Sequence, residues 1–401
     1  MKNRWVVLAA GVLIQTVLGG IYAWSTFAPY LGKSYGLNKG QCGFIFGLTI
    51  AVFSLAMIPA GRLLAKKGPR LTASIGAILF MSGYLIASTS QGSYTMLLLS
   101  LGVAAGAGIG FGYVCPLSVG MKWFPEKKGL VTGVAVAGFG GGAVALSSVA
   151  GHYLQSGMDV LTFFRYFGLV SGGILLAASM LLVDPEETRA GAAKEKNYAA
   201  VFTAPFIILT LGMFAGTFAG LLIIGNLSPI MLKLGLTKSE AIFAISLFAV
   251  GNAIGRVSWG YAFDYLGYKS IPAYLLAYAL FSIMLLLPLG NKLVLLTVAL
   301  LGFGFGANFV LYASTVTRQF GIESFPNLYP ICFLSYGLAG ITGPGVGGRI
   351  ADYTGSYNTA LYISIGIIVF AVLLTTVKKG LFEEPKKEEQ EFEPALSMQS
   401  S

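Results

Sequence analysis

Runs of about twenty apolar residues, parted by short polar segments, recur along nearly the whole chain. They fall at residues 5–29, 41–64, 71–89, 93–121, 129–151 and 163–183, and then at 204–231, 240–264, 271–289, 293–319, 327–350 and 358–377. At a rise of about 1.5 Å per residue, a helix of roughly twenty residues crosses the hydrocarbon core of a bilayer. A chain in lipid must satisfy its own backbone, and the alternating out–in pattern of a barrel strand is not seen in these runs. The pattern therefore predicts an all-α membrane protein with twelve transmembrane helices. The first run, from Trp5 to about Pro29, is too long for the apolar part of a cleavable signal and reads as a span.

The longest polar stretch between runs, Asp184 to Thr203, divides the spans six and six. The expected organisation is a six-helix bundle over 1–183, a linker over 184–203, a second bundle over 204–377 and a charged tail over 378–401. An internal repeat supports the division into pseudo-symmetric halves. Between the second and third spans the chain reads Gly61-Arg62-Leu63-Leu64-Ala65-Lys66-Lys67-Gly68-Pro69-Arg70, and between the eighth and ninth Gly260-Tyr261-Ala262-Phe263-Asp264-Tyr265-Leu266-Gly267-Tyr268-Lys269. The fourth and tenth spans are both glycine-rich, at Gly106, Gly108, Gly110 and Gly112 and at Gly302, Gly304 and Gly306. Two repeated halves are what a transporter that rocks about a central site requires.

Composition sharpens this reading. The chain is 56% hydrophobic and 10% charged, against roughly 25% charged in soluble domains. Its net charge of +10 suggests nucleic acid at first sight, but the basic residues sit in the segments between spans rather than in one patch. With the N-terminus placed in the cytoplasm, inner segments hold 18 Lys and Arg and outer segments 7, leaving Arg256 inside a span. That bias puts both termini in the cytoplasm, in the setting of a bacterial inner membrane, and removes the case for nucleic-acid binding. The cysteines Cys42, Cys115 and Cys332 are far apart in apolar runs, so they read as small buried residues rather than as metal ligands or a disulfide framework. No cofactor or metal motif is present.

The two repeated turns resemble the signature loop of the major facilitator superfamily, Gly-x-x-x-Asp-Arg-x-Gly-Arg-Arg. The resemblance implies a gating latch between helices at the cytoplasmic end, carried here by Gly61, Arg70, Gly260 and Asp264. The first copy has Ala65 where the second has Asp264, which implies a weaker latch there. Lys122-Trp123-Phe124-Pro125-Glu126-Lys127-Lys128-Gly129-Leu130, followed by Gly133 and Gly138, resembles the Arg-Trp-Phe-Pro-Asp-Lys-Arg-Gly-Leu-Ala-x-Gly segment of the oxalate/formate antiporter family, which is allied to the monocarboxylate transporters. The likeness extends to Gly20, Tyr22 and Trp24, to Asn252 and Arg256, and to the glycine-rich end of the eleventh span.

Arg256 is the sharpest single signal. An arginine at mid-span costs about 3 kcal/mol even on the lenient insertion scale, and it keeps its charge. No Asp or Glu lies well inside any span, so a bound anion is the natural partner, through the two parallel bonds that guanidinium makes to carboxylate. The bland alternative ties it to backbone carbonyls or lets it snorkel. Asn252, one turn earlier on the same face, is a ligand for the guanidinium or the substrate, or ordinary helix–helix glue. The resemblance implies that the arginine binds a substrate carboxylate. It also implies that Tyr336 stands where the oxalate carrier has a second cation, a lysine. One cation matches one carboxylate, which favours small monocarboxylates such as lactate, pyruvate, acetate or formate over a dianion. Tyr22, Tyr113, Phe305, Phe309, Phe333 and Tyr336 fall at cavity positions of that family, with Tyr312 one turn after Phe309 as a further candidate. Each reads equally well as bundle packing. His152, the only histidine, lies at the outer rim of span 5, where an inert role is the simpler reading.

The expectation is a monomeric carrier of a small carboxylate anion, embedded in the lipid bilayer and working by alternating access. Proton symport is the leading mode, with a proton as co-substrate, and oxalate/formate-type antiport is the alternative. A membrane enzyme would need a catalytic constellation, and His-Glu-x-x-His, Gly-x-Ser-x-Gly and paired-Asp motifs are all missing. A sensor would carry a soluble signalling domain.

Overall fold

The computed structural model describes residues 3–185 and 198–382. Most of the expected linker and nearly all of the charged tail, with Lys2, Arg189, Lys194, Lys196, Lys386 and Lys387 of the charge argument, lie outside the described residues. Among the described residues every regular element is helical. The long helices are α1 (Arg4–Tyr35), α2 (Lys39–Lys67), α3 (Pro69–Ser88), α4 (Tyr94–Trp123), α5 (Lys128–Gln155), α6 (Val160–Leu181), α7 (Ala204–Gly225), α8 (Lys238–Leu266), α9 (Ser270–Met284), α10 (Asn291–Phe320), α11 (Phe325–Thr354) and α12 (Asn358–Val377). Among the described residues ten segments are long and apolar enough to cross a membrane. The expected twelve is reached when Lys238–Met284 is taken as α8 and α9, and when α11, with its polar and proline positions, is counted as well.

Most boundaries follow ordinary end chemistry. Asn38 and Gln41 form a reciprocal capping box at α2, and Thr237 and Glu240 another at α8. Asp159 caps α6 by accepting from Leu161 and Thr162. Three boundaries differ from expectation. α1 runs on to Tyr35 but tightens into a 3₁₀ turn at Gly20–Ala23. α7 stops at Gly225, where the Asn226 amide donates to Leu222 O (2.9 Å) and to Pro344 O (3.2 Å), and a short helix, Leu227–Lys233, follows. α9 stops at Met284, as Pro288 disfavours helix in the residue before it.

Packing repeats with a period of six helices. In the first half α1 packs on α4 and α5, α2 on α4, and α3 on α4 and α6; in the second half α7 packs on α10 and α11, α8 on α10, and α9 on α10 and α12. The halves meet along α5–α8 and α2–α11. The glycines of α4 and α10 explain the close pairs. A Cβ at Gly106 or Gly110 would run into the α2 backbone at Thr49 or Phe53, and one at Gly302 or Gly306 into the α8 backbone at Phe248 or Asn252. Small residues four apart let two helix backbones touch, which is how helices associate when lipid is as apolar as their side chains.

Candidate functional site

Arg256 lies in the middle of α8 with no exposed surface. Its Nε donates to Asn252 Oδ1 at 2.9 Å, and its Nη1 donates to Val136 O of α5 at 2.5 Å. The side chain thus spans the junction between the halves. Its guanidinium carbon sits 4.5 Å from the Phe309 ring centroid and 6.0 Å from that of Phe139, within the range of a cation–π contact. Nη2 is buried without a hydrogen bond to the protein. The ion pairs among the described residues, Arg4–Glu126 and Lys122–Asp184, are elsewhere. The bland alternative is therefore half realised: one carbonyl and one amide hold the arginine, yet a donor edge is unspent.

Gly133 and Gly306 make this placement possible. A Cβ on Gly133 would strike Arg256 O, and one on Gly306 would strike Asn252 O. The backbones of α5 and α10 therefore close on α8 where the arginine leaves it. Gly133 belongs to the segment that begins at Lys122. In that segment Lys122 pairs with Asp184 at 3.1 Å, Trp123 Nε1 donates to Val183 O at 2.7 Å, and Phe124 lies under the Arg4 guanidinium. These motif residues fasten the ends of α4 and α6 rather than touching the arginine.

Around the guanidinium stands a box of rings. Tyr113 lies edge-on to Phe53 (5.2 Å) and Phe139 (5.3 Å), Phe309 to Tyr336 (5.3 Å), and Phe333 packs on Tyr113 (5.4 Å) and Tyr336 (5.1 Å). The hydroxyls of Tyr22 and Tyr336 are hydrogen-bonded to each other across the two halves. Tyr22 occupies the 3₁₀ turn of α1, which Gly19 allows to press against Phe139 O. The structure thus brings together Arg256, Asn252, Tyr22, Tyr113, Phe309, Phe333 and Tyr336. Phe305 stands one layer back, against Phe309 (5.3 Å) and Phe248 (5.7 Å). Tyr312 is placed elsewhere: its hydroxyl bonds that of Tyr274 (2.9 Å), which also donates to Asn308, in a polar cluster inside the second half. Tyr312 stands only about 60° round α10 from Phe309, but there it meets Tyr274 of α9 and Gly212 of α7 instead of the ring box. Sequence reasoning missed Phe53, Phe139 and the Val136 carbonyl. Phe139, flanked by Gly138 and Gly140, was the readable one, because a large ring among helix-contact glycines has space to fill.

At the end of the bundle carrying Arg62, Lys66, Lys122 and Lys128, the halves are in contact. Asp264, at the end of α8, accepts from the backbone N–H of Gly129 (2.7 Å) and of Leu130 (2.9 Å) at the start of α5. A carboxylate at a helix N-terminus takes two unpaired donors and favourable dipole charge. Gly260 and Gly129 approach each other reciprocally, and Gly61 of α2 meets Pro326 O of α11 in the corresponding place. Ala65 and Arg70 are exposed, and Asp264 alone of the two repeats clasps the opposite half. Toward the opposite end α5 and α8 part into a cleft of roughly 450 Å³ lined by Gly140, Gly141, Val144, Ala249, Ala253 and Ile254. His152 is exposed at that far end of α5.

The sequence model of the Major Facilitator Superfamily matches residues 8–327 and 209–399. The chain belongs to that superfamily. It is 26% identical over 409 residues to the oxalate:formate antiporter of Oxalobacter formigenes, covering 98% of this chain and 96% of that one. It is also 26% identical over 398 residues to monocarboxylate transporter 13 of Bos taurus, covering 96% and 92%. Among solved structures, the superfamily transporter FucP in its outward conformation superposes with a TM-score of 0.71 at 17% identity, over 92% of this chain and 97% of FucP, a likeness of fold. As a member of that superfamily the protein is an integral membrane transporter and not an enzyme, similar to the oxalate:formate antiporter and to monocarboxylate transporters.

Proposed function

We propose that the protein carries small monocarboxylate anions of the lactate and pyruvate class by alternating access, as a proton symporter. The observation behind this reading is the buried guanidinium of Arg256, whose Nη2 makes no bond to the protein and which no carboxylate of the described residues offsets. A buried, uncompensated charge costs several kcal/mol. An anionic substrate removes that cost when it binds. Tyr336 stands in the box, hydrogen-bonded to Tyr22, as a neutral group, so the site offers one cation and suits one carboxylate. The carboxylates of the described residues sit toward helix ends, so no acidic side chain stands beside Arg256 to compete with the substrate anion. Residues 1–183 and 204–377 act as the two rocking halves of a monomer. Asp264, Gly260 and Gly61 form the cytoplasmic latch, with Arg70 exposed beside it, and both termini face the cytoplasm of a bacterial inner membrane.

The test is uptake of labelled L-lactate by proteoliposomes, with and without an inward proton gradient. Uptake is expected to follow the gradient and to fall to background in Arg256→Gln. The similarity to an oxalate:formate antiporter supports a second reading, anion exchange. Oxalate uptake driven by preloaded formate, with lactate immobile, would replace the monocarboxylate assignment.

A further inference from the structure

Two buried hydroxyls near Arg256 have no partner outside their own pair. Tyr113 on α4 is 1% exposed and Tyr329 on α11 is 0% exposed, and their hydroxyls meet each other and no further group. Buried hydroxyls nearly always have a partner, because leaving one unmade costs about 1–3 kcal/mol. Both rings pack on Phe333, Tyr113 at 5.4 Å and Tyr329 at 5.6 Å, and a bond between the two hydroxyls uses one O–H and leaves the other without an acceptor. They belong to opposite halves. Tyr329 is held by a parallel stack on Phe325 (4.9 Å, 14°) and by Phe333 (5.6 Å), so its ring is fixed from both sides. It lies seven residues before Tyr336, two helical turns or about 10 Å along α11 toward the basic end. Tyr336 shares its hydroxyl with Tyr22, whereas Tyr329 meets only the Tyr113 hydroxyl.

We propose that Tyr329, together with Tyr113, is a specificity-determining donor that binds the polar atom of the substrate next to its carboxylate, while Arg256 Nη2 holds the carboxylate itself. This rests on the anion-site reading of Arg256. The described site then has two poles within an aromatic box: a cation that takes the acid group, and a hydroxyl pair on the basic side whose one spare O–H takes a 2-hydroxy or 2-oxo oxygen. A substrate lacking that oxygen leaves one O–H of the pair unmade in an apolar setting. Sites built to hydrogen-bond a substrate oxygen reject the analogue without it far more strongly than pockets that only measure size. The substrates favoured are 2-hydroxy and 2-oxo monocarboxylates, over plain fatty acids of equal length.

The pair L-lactate and propionate differs by one oxygen and suits the test. Wild type, Tyr329→Phe, Tyr113→Phe and Arg256→Gln are reconstituted, and uptake of labelled lactate is measured alone and against each competitor. Wild type is expected to prefer lactate to propionate by tenfold or more, on the order of one hydrogen bond to a buried donor. Tyr329→Phe is expected to raise the KM for lactate about tenfold, leave the maximal rate within about twofold and bring the two acids within about threefold of each other. Tyr113→Phe gives an independent reading of the same pair if the first variant folds poorly. Unchanged KM and unchanged preference in a folded Tyr329→Phe protein would overturn the assignment, as would a wild type that does not discriminate. Uptake that persists in Arg256→Gln would instead remove the anion site on which the proposal rests, so the two failures are separate.

Discussion

Replacing Asp264 with Asn probes the contact that closes the basic end. The carboxylate accepts from Gly129 N at 2.7 Å and from Leu130 N at 2.9 Å, one oxygen to each amide. Asparagine keeps one acceptor and turns its amide N–H₂ toward the other backbone donor. One charge-assisted bond is lost, about 1.5–3 kcal/mol, together with a few tenths from the helix dipole. Asp264 is half-buried, so part of this is returned by solvent, and about 2 kcal/mol is a fair net value. At 1.4 kcal/mol per decade that shifts the balance between closed and open basic ends about thirtyfold. Thr317 reports it. It is 1% exposed and donates to Met121 Sδ across the halves at 3.3 Å, so it is reached only when that end opens. In a background with Cys42, Cys115 and Cys332 replaced, Thr317→Cys is labelled with a maleimide. While opening remains rare, the labelling rate follows the open population and should rise about thirtyfold with Asp264→Asn. A rate within twofold of the parent, in a folded protein, would refute the view that Asp264 holds the halves together.

Gly133→Val places side-chain atoms against Arg256 O; it should accelerate labelling of the same Thr317→Cys reporter and reduce transport, and unchanged labelling would show that α5 tolerates the shift. Lys122→Ala leaves the Asp184 carboxylate nearly buried, with Oδ1 already unpartnered. A loss of about 3 kcal/mol is expected as a lower thermal midpoint of the purified protein, partly restored by adding Asp184→Ala. Tyr336→Lys puts a second cation beside Arg256 in the box. It should improve competition by oxalate over lactate at least tenfold, and competition assays in proteoliposomes that show no gain would count against the one-cation argument. Tyr22→Phe removes the bond between α1 and α11; exchange across the membrane should change in rate while the lactate-over-propionate preference persists.

Architecture was legible because lipid imposes one rule, that the backbone must satisfy itself. Every apolar run became a helix, and the errors were at ends set by single residues, such as the Asn226 amide that stops α7. Arg256 and Asn252 were legible for the same reason: a charge in mid-span has few explanations. The rings were less so. Of 28 phenylalanines, Phe139 is marked by its flanking glycines, and nothing local separates Phe53 from the others. Tyr312 was misplaced because a spacing of three residues from Phe309 was taken as one face, while α10 is buried on several sides and shows each face to a different helix. Tyr329 carries no mark in the sequence that sets it apart from the other tyrosines. The spare O–H of its pair with Tyr113 depends on which partner is lacking, and a sequence does not record that.

Arg256 joins binding to movement through the way its donors are divided. Nε is spent on Asn252 in its own helix and one Nη1 hydrogen on the α5 carbonyl of Val136, across the junction between the halves. Nη2 faces no protein acceptor. Any rocking that shifts α5 against α8 must stretch the Val136 bond, and an anion at Nη2 changes the cost of doing so, because a neutralised guanidinium tolerates desolvation that a bare one does not. The guanidinium is suited to this as lysine is not. Its donors point in fixed, separate directions from a rigid plane, while an ammonium directs all its donors from one atom. Two ties hold the plane still and the third nitrogen remains for the ligand, so the group that detects the substrate is also the one that spans the moving interface.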